Sequence, residues 1–232
     1  ESLPYTPPEF HYHISQSRNF HFNLRHWLGE NHGDPAVKDF RSKLQEHLLG
    51  RLLHPTWSGD SQEFSQEKRN HLLIVNDRIY RHKVLRVNYT SYDVRRGQDS
   101  VNPRTQADIM TLAPEGATDG HPFSYARILG VFHCDVVHND NGTLTAPVPL
   151  SFLWVRRFCL DHSFKGGFKR KRFHRIEFLD EQAADAYGFV DPDEVIRASH
   201  LIPAFCHGPT DAVAYTTLGR KPDEFDDWRY HY

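Results

Sequence analysis

The chain of 232 residues carries 28 Lys and Arg against 30 Asp and Glu, a formal net charge of -2. That near balance excludes recruitment of nucleic acid by bulk charge, so any such role needs a local basic patch. Three cysteines, Cys134, Cys159 and Cys206, form no C-x-x-C pair, which argues against a disulfide framework or a zinc ribbon and fits a reducing compartment.

The length suffices for a core without cross-links. No run of about 18 apolar residues and no basic-then-apolar leader is present, so neither a membrane span nor a signal peptide is expected. The expectation is a soluble intracellular chain. It starts without methionine and ends in the aromatic "DDWRYHY", as a fragment of something larger would. The 17 histidines are scattered rather than set at ligand spacings, and read as hydrogen-bonding and surface groups; no metal site and no cofactor is expected.

In chain order, residues 1–33 join a proline-rich start to alternating aromatics and histidines, and read as an extended arm that lays its Phe and Trp residues on another surface. Asp34 and Pro35 give an N-cap and first-turn proline, and Val37, Phe40, Leu44 and Leu48 then recur at helical spacing until Pro55. The polar "TWSGDSQEFSQEKRN" marks a boundary, with room for a short helical turn. The organisation expected is therefore an N-terminal arm and helix over 1–60, a β domain over 71–206 and a C-terminal extension over 207–232.

From His71 the signal becomes β. "HLLIVNDRIYRHKVLRVNYTSYDVRR" predicts two or three short strands broken at Asn76-Asp77. Asp108 to Leu112 fits a strand inside a loop-rich stretch. "FSYARILGVFHCDVV" and "PLSFLWVRRFCLD" flank the turn residues Asn139 to Gly142 at hairpin spacing. "FHRIEFL" is a further strand candidate, and "DPDEVIRASHLIPAF" repeats the cap-then-proline start before a final strand. Many short strands with few helices predict a mostly β, barrel-like domain with an N-terminal helical and extended arm.

Four sets of residues bear on chemistry. Cys159 sits mid-strand between Phe158 and Leu160, away from any helix N-terminus, and reads as a small core residue rather than a nucleophile. No G-x-S-x-G or P-loop motif occurs, and Gly166-Gly167 lacks a following helix to hold phosphate. Asp77, Asp93, Asp99 and Asp108 are an alternative: carboxylates that could hold magnesium in a metal-dependent nuclease or transposase part, or merely make turns. "KGGFKRKRFHR" sets Lys165, Lys169, Arg170, Lys171, Arg172 and Arg175 among Phe168 and Phe173, the composition of a phosphate-contacting loop, or of a solvated hairpin that keeps an edge strand soluble. With a period of two, Phe152, Trp154, Arg156, Phe158 and Leu160 share one face of a strand while Leu153, Val155, Arg157 and Cys159 share the other. Such a strand is central, and its end at Asp161 and His162 is a natural pocket rim where aromatic walls and a carboxylate would attract a methylated ammonium, although Trp154 could equally be core.

"YARILGVF", "FLWVRRFCLD" and "GFVDPDEVIRASHLIPAF", within residues 71–206, resemble the bromo-adjacent homology (BAH) domain. That resemblance implies a mostly β chromatin-interaction module without catalytic residues, with nucleosomes, histone tails or DNA phosphates as partners and a nuclear location. It maps a cage tryptophan onto Trp154; Tyr125, Phe158 and Tyr187 are candidates for the other walls and Asp161 for the carboxylate. The whole chain also resembles a C-terminal region of transposon-encoded proteins of the Plavaka and Kyakuja-Dileera-Zisupton kind, abundant in mushroom-type fungi, which implies a targeting module whose catalytic core lies elsewhere. A third reading is a dimerisation domain, in which the aromatic arm from Tyr5 to Trp27 packs on a second copy.

Overall fold

A computed structural model describes residues 11–53, 64–93, 95–114, 121–140, 143–210, 216–219 and 227–232. Among the described residues there are three α-helices: α1 (Leu24–Glu30), α2 (Phe40–Leu53) and α3 (Gln66–Asn70). The strands run β1 (Tyr12–Ile14), β2 (His21–Asn23), β3 (Leu72–Ile74), β4 (Arg78–His82), β5 (Leu85–Thr90), β6 (Arg96–Val101), β7 (Asp108–Leu112), β8 (Phe123–Asp140), β9 (Thr143–Leu144), β10 (Val148–Leu160), β11 (Ile176–Phe178), β12 (Tyr187–Val190) and β13 (Val195–Ala198). At 43% strand and 21% helix the protein is mostly β, as its sequence predicts.

The long strand β8 organises the larger sheet. One edge pairs with β10, from Val148↔Val136 to Arg157↔Ala126 with a register shift at Trp154/Val155. The other edge carries β7, β4 and β3 in turn, at Arg127, His133 and Val137. β12 and β11 then extend the sheet beyond β10. A second sheet, ordered β1-β5-β6, is separate.

Period-two alternation explains how the layers bind. Phe152 and Trp154 join Leu24, Phe40, Leu44, Leu48 and Phe189 in a core beneath α1 and α2. Leu153 and Val155 point the other way, into a second core with Leu85, Val87, Val101 and Val195 beneath the smaller sheet. Each such buried side chain contributes roughly 1.5–3 kcal/mol. The barrel expected from the sequence is not formed: among the described residues no sheet closes. Helices cover one face and a small sheet the other, so the apolar surface is buried by layering rather than closure. Gly130 stands opposite Trp154, where a Cβ would lie 2.3 Å from the Phe132 ring.

Local chemistry sets the boundaries. The Asp34 carboxylate accepts the Ala36 N–H at 2.9 Å and starts a single 3-10 turn, Pro35–Val37. The one helix expected from Asp34 onward is therefore split: Asp39, at φ 56°, interrupts it and α2 begins at Phe40. Asn76 and Asp77, both at φ 54°, make the turn predicted for them. The Asp191 cap and Pro192 make the single turn expected before β13.

The arm behaves differently from its expectation. Asn23 caps α1, a helix the sequence pattern does not predict, and Phe22 and Trp27 pack on Phe132, Phe40 and Trp154 of the same chain. Phe22 and Trp27 thus complete the chain's own core, while Phe20 is 66% exposed and Tyr5 lies outside the described residues. Near the other end, His231 pairs with Ile176 and Pro203, and Trp228 with Pro209, so these residues belong to the same layered body. No described helix is long and apolar enough to cross a membrane.

Candidate nucleic-acid interface and neighbouring cavities

The basic stretch connects β10 to β11. A bridge between Gly167 and Arg172 closes it, a 3-10 turn at Phe168–Arg170 shapes it, and Lys171 takes a left-handed φ of 53°. Lys165, Lys169, Arg170, Lys171 and Arg172 are exposed, and among the described residues none has a carboxylate partner. Phe173 beside them is 76% exposed.

Arg175 has another role. Its Nε donates to Asp161 Oδ2 at 2.6 Å, and its guanidinium lies 4.5 Å from the Phe164 ring centre and 4.1 Å from that of Tyr230. Asp161 is filled on its other oxygen as well, where the Ser163 N–H and hydroxyl donate at 2.9 and 2.6 Å. Burial would raise the Asp161 carboxyl, but bonds from Ser163 and Arg175 hold it below the usual range. The expected DNA contact at Arg175 and the expected cage carboxylate at Asp161 are therefore corrected: they form a clamp that ties the two ends of the basic loop together.

The aromatic candidates do not assemble. Trp154 is 4% exposed, edge-on to Trp27 at 5.7 Å and to Phe40 at 5.4 Å, and has no face open to a ligand. Tyr187, 3% exposed, donates its hydroxyl to Glu181 at 3.3 Å, and burial pushes its phenol up. Phe158 stacks on Phe178 at 4.1 Å. The register of strand pairing explains this: a residue in the middle of a doubly covered sheet is core whatever its chemistry.

Tyr125 and Phe158 do share a cavity of about 260 Å³. The β8–β10 ladder stops at Arg157↔Ala126, and the residues beyond, 123–125 on one strand and 158–160 on the other, line the space. His121 stacks on Tyr125 at 5.8 Å, with Phe123 and Asp185 also on the wall. His121 and Phe123 are absent from the residues predicted for a site, although H-x-F-x-Y over 121–125 is the period-two signal that could have found them. Cys159 lines the same cavity; burial and Glu177 raise its thiol, so it is not poised as a nucleophile.

The four aspartates of the nuclease alternative lie apart. Asp77 takes Arg41 at 2.7 Å, Asp93 takes Arg95 at 2.9 Å, Asp99 takes Arg197 at 3.1 Å and Asp108 takes Arg127 at 2.7 Å. Among the described residues no group of three His, Cys, Asp or Glu could hold a metal ion.

In comparison with known proteins, no family model, no curated protein and no solved structure matches the chain.

A histidine pair inside β4 and β8 makes stability respond to pH. His82 Nε2 and His133 Nδ1 meet at 2.6 Å, with His133 stacked on Tyr80 at 4.6 Å and its own Nε2 buried without a hydrogen-bond partner among the described residues. Burial, then His133, lowers His82 to about 4; burial also lowers His133, and His47 on α2 lies well below its ordinary value through burial and Arg51. Because the unfolded chain binds these protons at a pKa of about 6.5, it gains them first. Stability is thus fully present above about 6.5 and falls as pH drops towards 4. Urea midpoints should decline across that window, and His82→Phe with His133→Phe should flatten the decline; equal slopes in both proteins would remove the pair as the cause.

Proposed function

We propose that this chain is a non-catalytic module that grips nucleic-acid phosphates through the 165–172 loop, within a BAH-like chromatin-binding role in the nucleus. The observation that supports it is the presence of five exposed cations in that loop without a carboxylate partner among the described residues. Such charges, left uncompensated on one short segment, repel one another and gain most from an anion that spans them. The Asp161–Arg175 clamp holds the ends of the loop, and exposed Phe173 offers an apolar surface beside the phosphate track. Nothing in the loop is a helix that could read bases, so the contact is to the backbone and tolerant of sequence. A targeting role inside a longer transposon-encoded protein accords with that tolerance.

The test replaces Lys169, Arg170, Lys171 and Arg172 with glutamate and follows labelled duplex DNA by fluorescence anisotropy at several salt concentrations. The slope of log affinity against log salt should flatten by about 3–4, close to 0.9 for each phosphate that the loop no longer neutralises. An unaltered slope would reject the loop.

A second reading places a histone-tail side chain in the cavity between β8 and β10, favoured by His121, Phe123 and Tyr125 standing near Asp185. Salt-insensitive, mark-dependent capture of a histone peptide by the intact chain, without DNA binding, would move the function there.

A further inference from the structure

Away from the basic loop, a groove of about 400 Å³ opens between the N-terminal arm and the turn that joins β4 to β5. Two pairings build it. Ile14↔Leu85 ends the β1–β5 ladder and leaves Ser15 and Ser17 alongside the turn at Lys83. On the other side the Arg81 N–H donates to the Phe20 carbonyl at 2.8 Å, which fixes Phe20 beside Arg81 at the groove wall.

The lining is one-sided in charge. Arg81, Lys83 and Arg86 are exposed, and among the described residues no Asp or Glu shares the groove with them or pairs with them. His13, the cross-strand partner of Arg86, adds a ring nitrogen. Two hydroxyls, three cations and no carboxylate are the donor set of a phosphate site. Phe20 is 66% exposed, an apolar ring left in water at the wall of a basic cavity. A planar ring carried on the phosphate would cover it, and the volume is that of a small-molecule pocket.

We propose that this groove binds a phosphorylated nucleoside, its phosphate held by Arg81, Lys83 and Arg86 with the hydroxyls of Ser15 and Ser17, and its base stacked on Phe20. The site is separate from the 165–172 loop and does not rest on the role assigned to that loop.

Calorimetric titration of the intact chain with adenosine 5′-monophosphate, and separately with inorganic phosphate, tests it. The nucleotide should bind about tenfold more tightly than phosphate, the gain of one stacked base. Phe20→Ala should erase that difference, while Arg81→Glu with Lys83→Glu should weaken both ligands at least about tenfold through the removal of two charge-assisted hydrogen bonds. All three positions are exposed, so melting curves should match the parent; if the reversal unfolds the chain, Arg81→Gln with Lys83→Gln reads the same effect. The glutamate variant of residues 169–172 should bind the nucleotide unchanged, which keeps failure of this site distinct from failure of the loop. A 5′-phosphorylated oligodeoxyadenylate identifies the source: displacement of the nucleotide at lower concentration assigns the groove to a single strand, and no displacement assigns it to a free mononucleotide. Absence of nucleotide binding, or binding indifferent to Arg81 and Lys83, would overturn the proposal.

Discussion

Trp154→Ala is expected to destabilise the fold by roughly 3–5 kcal/mol, the range for removing a large aromatic side chain from a packed core. The ring is enclosed by Trp27 and Phe40, each edge-on within 5.7 Å, and Phe40 in turn meets Phe189 at 4.9 Å. Truncation would leave a void where α1, α2 and β10 converge, and the arm would lose the surface on which Trp27 rests. Because domains are stable by only about 5–15 kcal/mol, the loss would lower the melting temperature by many degrees. A tryptophan on the wall of a ligand cage would behave otherwise, since exposed positions tolerate truncation within about 0.5 kcal/mol. Chemical denaturation of the variant decides the matter: an unchanged midpoint would remove Trp154 from the core.

The second large effect belongs to Arg156. Its guanidinium, on a side chain 4% exposed, donates to Asp227 at 2.8 Å, approaches Glu181 at 3.7 Å and lies 3.8 Å from the centre of the Phe178 ring. Removing it takes the guanidinium away from the buried Asp227 and from Glu181, whose side chain is 11% exposed. Arg156→Ala should therefore cost roughly 3–5 kcal/mol, the range for breaking a buried ion pair by removing one partner. The triple variant Arg156→Met, Glu181→Leu, Asp227→Leu should recover most of that loss, since an apolar cluster of similar volume avoids desolvating ions. Equal destabilisation in both variants would show that packing of the arginine stem, not its charge, matters at this site. Asp227 is remote from Arg156 in sequence, so the same pair also ties the C-terminal residues to β10.

Much of the architecture is legible in the residues. Alternation along 152–158 assigns β10 to the middle of a sheet, and the cap-then-proline starts at Asp34 and Asp191 mark turns found at those places. The turn at Asn76 and Asp77 is legible too, since these side chains tolerate a left-handed backbone. The split before α2 is not, because a spacing of three and four residues between Val37, Phe40 and Leu44 is the same whether or not Asp39 breaks the helix. Helix α1 is hidden for a different reason: seven residues carry too little periodicity, and its formation depends on Trp27 reaching Trp154.

The candidate site divides along the same line. Residues 165–172 can be recognised as a basic loop because charge density is a local property. Arg175, only three residues further, leaves that set because folding brings Asp161 and Phe164, at the opposite end of the loop, and Tyr230, far along the chain, against it. Arg81, Lys83 and Arg86 do not stand out as a group in the sequence, since the Ser15 and Phe20 that complete their groove are contributed by the arm.

The sequence by itself determined the mostly β class, the turns at Asp34, Asn76 and Asp191 and the two apolar faces of β10, because side-chain period and turn chemistry act over a few residues. Only the tertiary structure decided which aromatics are core, which cations stay exposed and whether the sheet closes. Burial and pairing depend on the partner that folding brings opposite, and no local pattern encodes that partner.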